Sequence, residues 1–142
     1  MQVDIVTQAD DELWEAFQRL VPQLTTNNPP PSPDNLAALV RDSSSTLMVA
    51  RNEQDKIVGA LTLVVYRTST GIRSIIEDVI VDSSARGQGI GEALMKRAID
   101  LAREKGVGNI SLTSNPMREA ANRLYLRMGF KKRETNAYQI KL

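Results

Sequence analysis

Between Ser74 and Ala102 the apolar pattern of this chain changes period, and that change limits what the chain can fold into. SIIEDVIV reads as a buried strand, and DSSARGQGIG follows as a polar turn. Ile90, Leu94, Ala98, Leu101 and Ala102 then recur at helical spacing. Side chains alternate every two residues in a strand and return every 3.6 in a helix, so a strand must give way to a helix here within a few residues. Packing alone would not choose such a junction, because each glycine costs about 0.5–1 kcal/mol relative to alanine. A turn needs one glycine, whereas this one has three, at 87, 89 and 91, with Arg86 ahead of them.

The physical reading is an anion cradle. Glycines let a ligand come close to the backbone, and the first turn of a helix leaves amide groups free at the positive end of its dipole. Arg86 adds a charge-assisted donor suited to a phosphoryl oxygen. Two familiar phosphate loops do not fit. No Gly-Lys-Ser/Thr follows, and the third position of a dinucleotide fingerprint counted from Gly87 falls on Glu92. A bare flexible turn remains the plain alternative.

The rest of the pattern gives one mixed α+β domain over residues 1–142. QVDIV reads as a short strand, and Thr7 or Asp10 caps a helix to Leu24. TTNNPPPSP, residues 25–33, is an extended connection, and Ser32-Pro33 opens a second, short helix to about Arg41. Strands are expected at 46–51, 57–66 and 74–81, with Gly59 a candidate bulge. The helix after the glycines runs to Lys105. A strand at 110–113, a helix at 117–128 and one or two C-terminal strands, including 138–142, complete the expectation.

Composition removes several chemistries. With no cysteine there is no disulfide, thiolate nucleophile or Cys-based metal site, and with no histidine there is no serine triad or zincin motif. No metal is expected. A net charge of +1 argues against a nucleic-acid partner, despite the cations at 86, 96, 97 and 131–133. No apolar run is long enough to cross a membrane and the N-terminus is acidic, so a cytoplasmic protein with no membrane partner is expected.

Two motifs carry a resemblance. Arg86-x-x-Gly89-x-Gly91 lies between a strand ending DVIV and a helix, and Ala121, Leu124, Tyr125, Gly129 and Phe130 form A-x-x-L-Y-x-x-x-G-F about 35 residues on. Together they resemble the acetyl-CoA signature of the GCN5-related N-acetyltransferases, closely over residues 46–133. The resemblance implies a mixed central sheet of six or seven strands, with a V-shaped split between the fourth and fifth, and about four helices. It also implies transfer of an acetyl group from the cosubstrate acetyl-CoA to a primary amine by direct attack. A catalytically silent acyl-CoA sensor or scaffold of the same fold is the alternative.

By the same resemblance Arg86, Gly87, Gln88, Gly89, Ile90 and Gly91 hold the diphosphate of CoA, and Val79, Ile80 and Val81 bond its pantetheine arm. Arg118 stands where the family usually has asparagine; it, Asn115 and Asn122 are further cofactor candidates. Tyr125 is the family's usual general acid, and a packed core tyrosine is the plain alternative. The acceptor must lose a proton first, and for a lysine-like amine at pH 7 that costs about 4–5 kcal/mol. Without histidine, Glu77 is the candidate base or amine anchor, or else a structural carboxylate. Strand alternation puts Glu77 and Asp78 on opposite faces. Charges around the acceptor side disagree, so the amine is a peptide's or a small molecule's. A homodimer through the last strand or a free sheet edge is a family-level expectation.

Overall fold

The computed structural model describes residues 1–142. Four antiparallel strands form the sheet in the order β1-β2-β3-β4: β1 Gln2–Ile5, β2 Ser45–Arg51, β3 Ile57–Thr68 and β4 Gly71–Val81. Helix α1, Asp11–Leu24, and helix α2, Pro33–Arg41, come before β2. Helix α3, Ile90–Glu104, and helix α4, Glu119–Arg127, come after β4. No helix is long and apolar enough to cross a membrane.

The helix ends follow local chemistry. Asp10 caps α1 by accepting from the Leu13 amide at 2.9 Å. Ser32 accepts from the Asn35 amide at 3.1 Å, with Pro33 at the first helical position of α2.

Two apolar clusters lie on the two faces of the sheet. On one side Leu13, Phe17, Leu20 and Leu36 from α1 and α2 meet Leu47, Val49, Ala60 and Ile80. On the other, Ile90, Leu94, Met95, Ala98 and Tyr125 from α3 and α4 meet Met48, Leu61, Leu63 and Ile76. Each fully buried leucine stabilises the fold by roughly 1.5–3 kcal/mol relative to exposure.

Ile76 and Ile80 are four residues apart on one strand, so plain alternation would put them on the same face. They lie in opposite clusters because the register slips between them. Ala60 faces Ile80 while Thr62 faces Glu77, so a bulge intervenes. Asp78 carries it, with a left-handed φ of 52°. A second slip falls between Ala50 and Arg51, opposite Gly59, where the sequence suggests a bulge.

The expected sheet of six or seven strands with a split between the fourth and fifth is corrected: the sheet has four strands. The segment 110–113 makes one parallel bridge, Ser111 to Ile75, through Ile76 N–H to Ser111 O at 3.0 Å and Ser111 N–H to Ser74 O at 3.1 Å. Residues 131–142 are exposed and form no strand. Lys131, Lys132, Arg133 and Glu134 are four consecutive charges whose desolvation would oppose packing that run against the sheet.

Candidate functional site

The start of α3 is a set of free donors. The amides of residues 86–92 donate to no acceptor within the chain; the first helical bond there is Ala93 N–H to Gly89 O at 3.0 Å. Gly89 stands at the N-cap with φ 78° and no capping side chain. Gly87 has φ 77°, and a Cβ on either glycine would meet nothing within 4 Å. These two positions therefore need glycine for backbone conformation and face open space. Gly91 differs. A Cβ there would lie 3.2 Å from Leu124 Cδ2 and 3.6 Å from Val81 Cγ2, so it is glycine because α3, α4 and β4 converge on it. Ile90 is buried, whereas Arg86 to Gly89 are exposed.

Helix α4 brings the second motif to the same place. Arg118, just ahead of α4, donates from Nη2 to Val79 O at 3.1 Å. Leu124 reaches Gly91, and the adjacent Tyr125 is 5% exposed, with its ring centroid 6.0 Å from that of Phe130. Burial pushes the Tyr125 phenol above its ordinary pKa, and the charge of Arg118 acts the other way. The phenol is therefore protonated and able to donate at neutral pH.

Asn115 and Asn122 are engaged locally. Asn115 Oδ1 accepts from the Met117 amide at 2.9 Å, and Asn122 Nδ2 donates to Asn115 O at 2.9 Å and Arg118 O at 2.8 Å. Both brace the entry to α4 and the placing of Arg118.

Neither Glu77 nor Asp78 turns into the core. The left-handed Asp78 breaks the alternation, and both residues are exposed. The Glu77 carboxyl is still partly desolvated, which pushes its pKa up, and the neighbouring charge of Asp78 adds to the shift.

A groove of about 710 Å³ opens along the other side of α4, lined by Ser114, Asn122, Tyr125, Met128 and Phe130 and rimmed by Lys131 to Arg133. Glu77, Val79 to Val81 and Arg86 to Gly91 do not line it. Tyr125 thus lines this groove while sharing a core cluster with Ile90, the first residue of α3.

Sequence reasoning missed Arg19, Gln23 and Asp82. Asp82 is 4% exposed and accepts from Arg19 Nε at 3.0 Å, the Ser84 amide at 3.1 Å and Ser84 Oγ at 3.0 Å. Asp82-x-Ser84 has the form of a local turn motif and was legible as such. A partner 63 positions away was not.

Residues 7–130 match the Acetyltransferase (GNAT) family. The chain belongs to that family. A glucosamine 6-phosphate N-acetyltransferase of Trypanosoma brucei brucei is 33% identical over 116 residues, covering 77% of each chain. A streptothricin acetyltransferase of Streptomyces lavendulae is 45% identical over 58 residues, which are 41% of this chain and 31% of that one. The crystal structure of a Trypanosoma brucei acetyltransferase superposes with a TM-score of 0.79 at 28% identity, covering 99% of both chains. This GNAT chain thus shares its overall course with that acetyltransferase.

Proposed function

We propose that this GNAT protein transfers the acetyl group of acetyl-CoA to the primary amine of a small molecule, by direct attack. The observation that carries the reading is the row of unpartnered amides from Arg86 to Glu92 at the start of α3, beside a buried, protonated Tyr125. Those amides and the Arg86 guanidinium suit a diphosphate. The backbone of Val79 to Val81, on the β4 edge that leads to the turn, suits the pantetheine arm.

In this reading the amine attacks the thioester carbonyl, the C–S bond breaks, and the thiolate takes the Tyr125 phenolic proton. Glu77 receives the amine's proton, directly or through water, and its raised pKa brings it nearer the pH at which a base is useful. Both relatives described above are named for small nitrogen compounds, glucosamine 6-phosphate and streptothricin. The exposed carboxylates of Glu77 and Asp78 favour a cationic acceptor.

The test is a screen of amino-sugars, polyamines and N-terminal peptides with acetyl-CoA, reading the free thiol released. A small amine should release thiol, and Tyr125→Phe should suppress it. Acetyl-CoA binding without turnover of any amine would favour the acyl-CoA sensor instead.

A homodimer belongs to the same proposal. Tyr138, Ile140 and Leu142 alternate along the tail and are exposed, 89% and 80% for the first two, so a second copy could cover them. Sedimentation equilibrium of the whole chain and of one ending at Arg133 tests it: only the former should dimerise.

A further inference from the structure

The turn that leads into the glycines is tied to α1 by two side chains one helical turn apart. Arg19 Nε donates to Asp82 Oδ2 at 3.0 Å, and Arg19 Nη2 donates to Ile57 O. Gln23 Oε1 accepts from the Ser83 amide at 2.8 Å, while Gln23 Nε2 donates to Arg19 O at 3.2 Å. Asp82 is also fastened to β3 through its amide, which donates to Val58 O at 2.8 Å. Beyond Ala85, which is buried and donates to Asp82 O at 2.9 Å, residues 86–92 make no amide bond to the rest of the chain. Their position is set by two anchors: the Asp82 to Ala85 turn on one side and Ile90, packed in the core, on the other.

We infer that Arg19 and Asp82 are positioning residues for the diphosphate seat, their ion pair holding the turn so that the amides of residues 86–91 stay aimed at one point. The inference rests on the proposed function, because it takes that seat to bind the diphosphate of acetyl-CoA. The physical argument is preorganisation. A row of amides binds an anion well only if they converge before it arrives, and a loose upstream anchor adds ordering entropy to the cost of binding. An apolar contact could hold α1 against the turn equally tightly without fixing direction. The guanidinium instead engages Asp82 and Ile57 O together, which sets the angle at which the chain leaves β4. A buried carboxylate without that partner would carry a large desolvation penalty, so the pair stands or falls as a unit.

The experiment compares acetyl-CoA with S-acetylpantetheine, which lacks the diphosphate and nucleotide. Binding is measured by calorimetry, or by competition where weak, on wild type, Arg19→Ala, Arg19→Lys and Gln23→Ala, with thermal melts of each. The expected result is a roughly tenfold weaker acetyl-CoA Kd in Arg19→Ala, a smaller loss in Gln23→Ala, and partial recovery in Arg19→Lys. S-acetylpantetheine should bind every variant as it binds wild type. Should Arg19→Ala fail to fold, Arg19→Lys and Gln23→Ala carry the comparison. Folded variants with a lowered Tm but an unchanged acetyl-CoA Kd overturn the positioning role, as does equal weakening of both ligands. Wild type that binds no acetyl-CoA removes the functional reading itself, a result distinct from either.

Discussion

Arg118 Nη2 donates to the carbonyl oxygen of Val79 at 3.1 Å, joining the start of α4 to β4 one residue past the bulge. This half-buried guanidinium also influences the Tyr125 phenol, two turns along the same helix face. Arg118→Ala should cost about 1 kcal/mol, lowering Tm by roughly 2–5 °C. Arg118→Lys should recover only part of that loss, since an ammonium cannot reproduce the planar fork. Thermal melts of the two variants decide it.

Tyr125→Phe keeps the ring that packs near Phe130 and removes the acid. We expect kcat to fall roughly 100-fold with the acetyl-CoA KM within about twofold. The acid works while protonated, and burial raises its pKa above the ordinary 10.0. Wild-type activity should therefore lose this acid only above that value, and the variant should lack that alkaline limb. A Tyr125→Phe enzyme with wild-type kcat would assign the ring to packing alone.

Glu77 should set the acidic limb of the rate profile. A base works when deprotonated, so the rate rises with pH as Glu77 ionises, and desolvation followed by Asp78 moves that limb above the usual 4.5. Glu77→Gln should flatten the limb, and Asp78→Asn should shift it to lower pH by removing the like charge. An unchanged profile and acceptor KM in Glu77→Gln would leave the residue without a role in proton transfer.

Asp82 makes stability depend on acid. Burial raises its pKa, but hydrogen bonds from Arg19 and Ser84 outweigh that and bring it from 3.8 to about 2. Because the folded value lies below the unfolded one, the stabilisation is fully present above about pH 4 and is lost as pH falls towards 2. It amounts to about 2 kcal/mol. Denaturant titrations of wild type and Asp82→Asn should differ by about that much at pH 7 and converge near pH 2.

Gly59→Ala tests the packing of α3 on the sheet. Its Cβ would lie 2.9 Å from Ile90 Cγ2, 3.1 Å from Leu94 Cδ1 and 3.1 Å from Ile80 O. The backbone oxygen cannot move aside as a side chain can, so we expect a loss of about 1–3 kcal/mol. Equilibrium unfolding measures it.

Much of the fold was legible because its signals are local. Asp10 and Ser32 cap the two helices they precede, Gly59 lies opposite a register slip, and the change of period after Val81 marks the passage from β4 to α3. The C-terminal strands were misread. Alternation at Tyr138, Ile140 and Leu142 describes a segment able to pair, but pairing depends on a partner that the pattern does not specify. The bulge at Asp78 was out of reach too, since a single left-handed aspartate leaves no mark in an alternating pattern. The glycines and the apolar run behind them marked the helix-start donors locally, whereas Tyr125 was picked out by resemblance to a family motif. Arg19 and Asp82 were out of reach because an ion pair across 63 positions leaves no periodic trace.

The bulge at Asp78 makes β4 intolerant of certain changes in length. Upstream of it the strand keeps step with α3 and α4 through Ile76; downstream it keeps step with α1 and α2 through Ile80. Deleting that one residue would leave Ile80 three positions after Ile76, so ordinary alternation would still send the two into opposite hemispheres, whereas deleting it together with a neighbour would turn Ile80 to the wrong side. Variants of this strand that lack the bulge should therefore be one residue shorter.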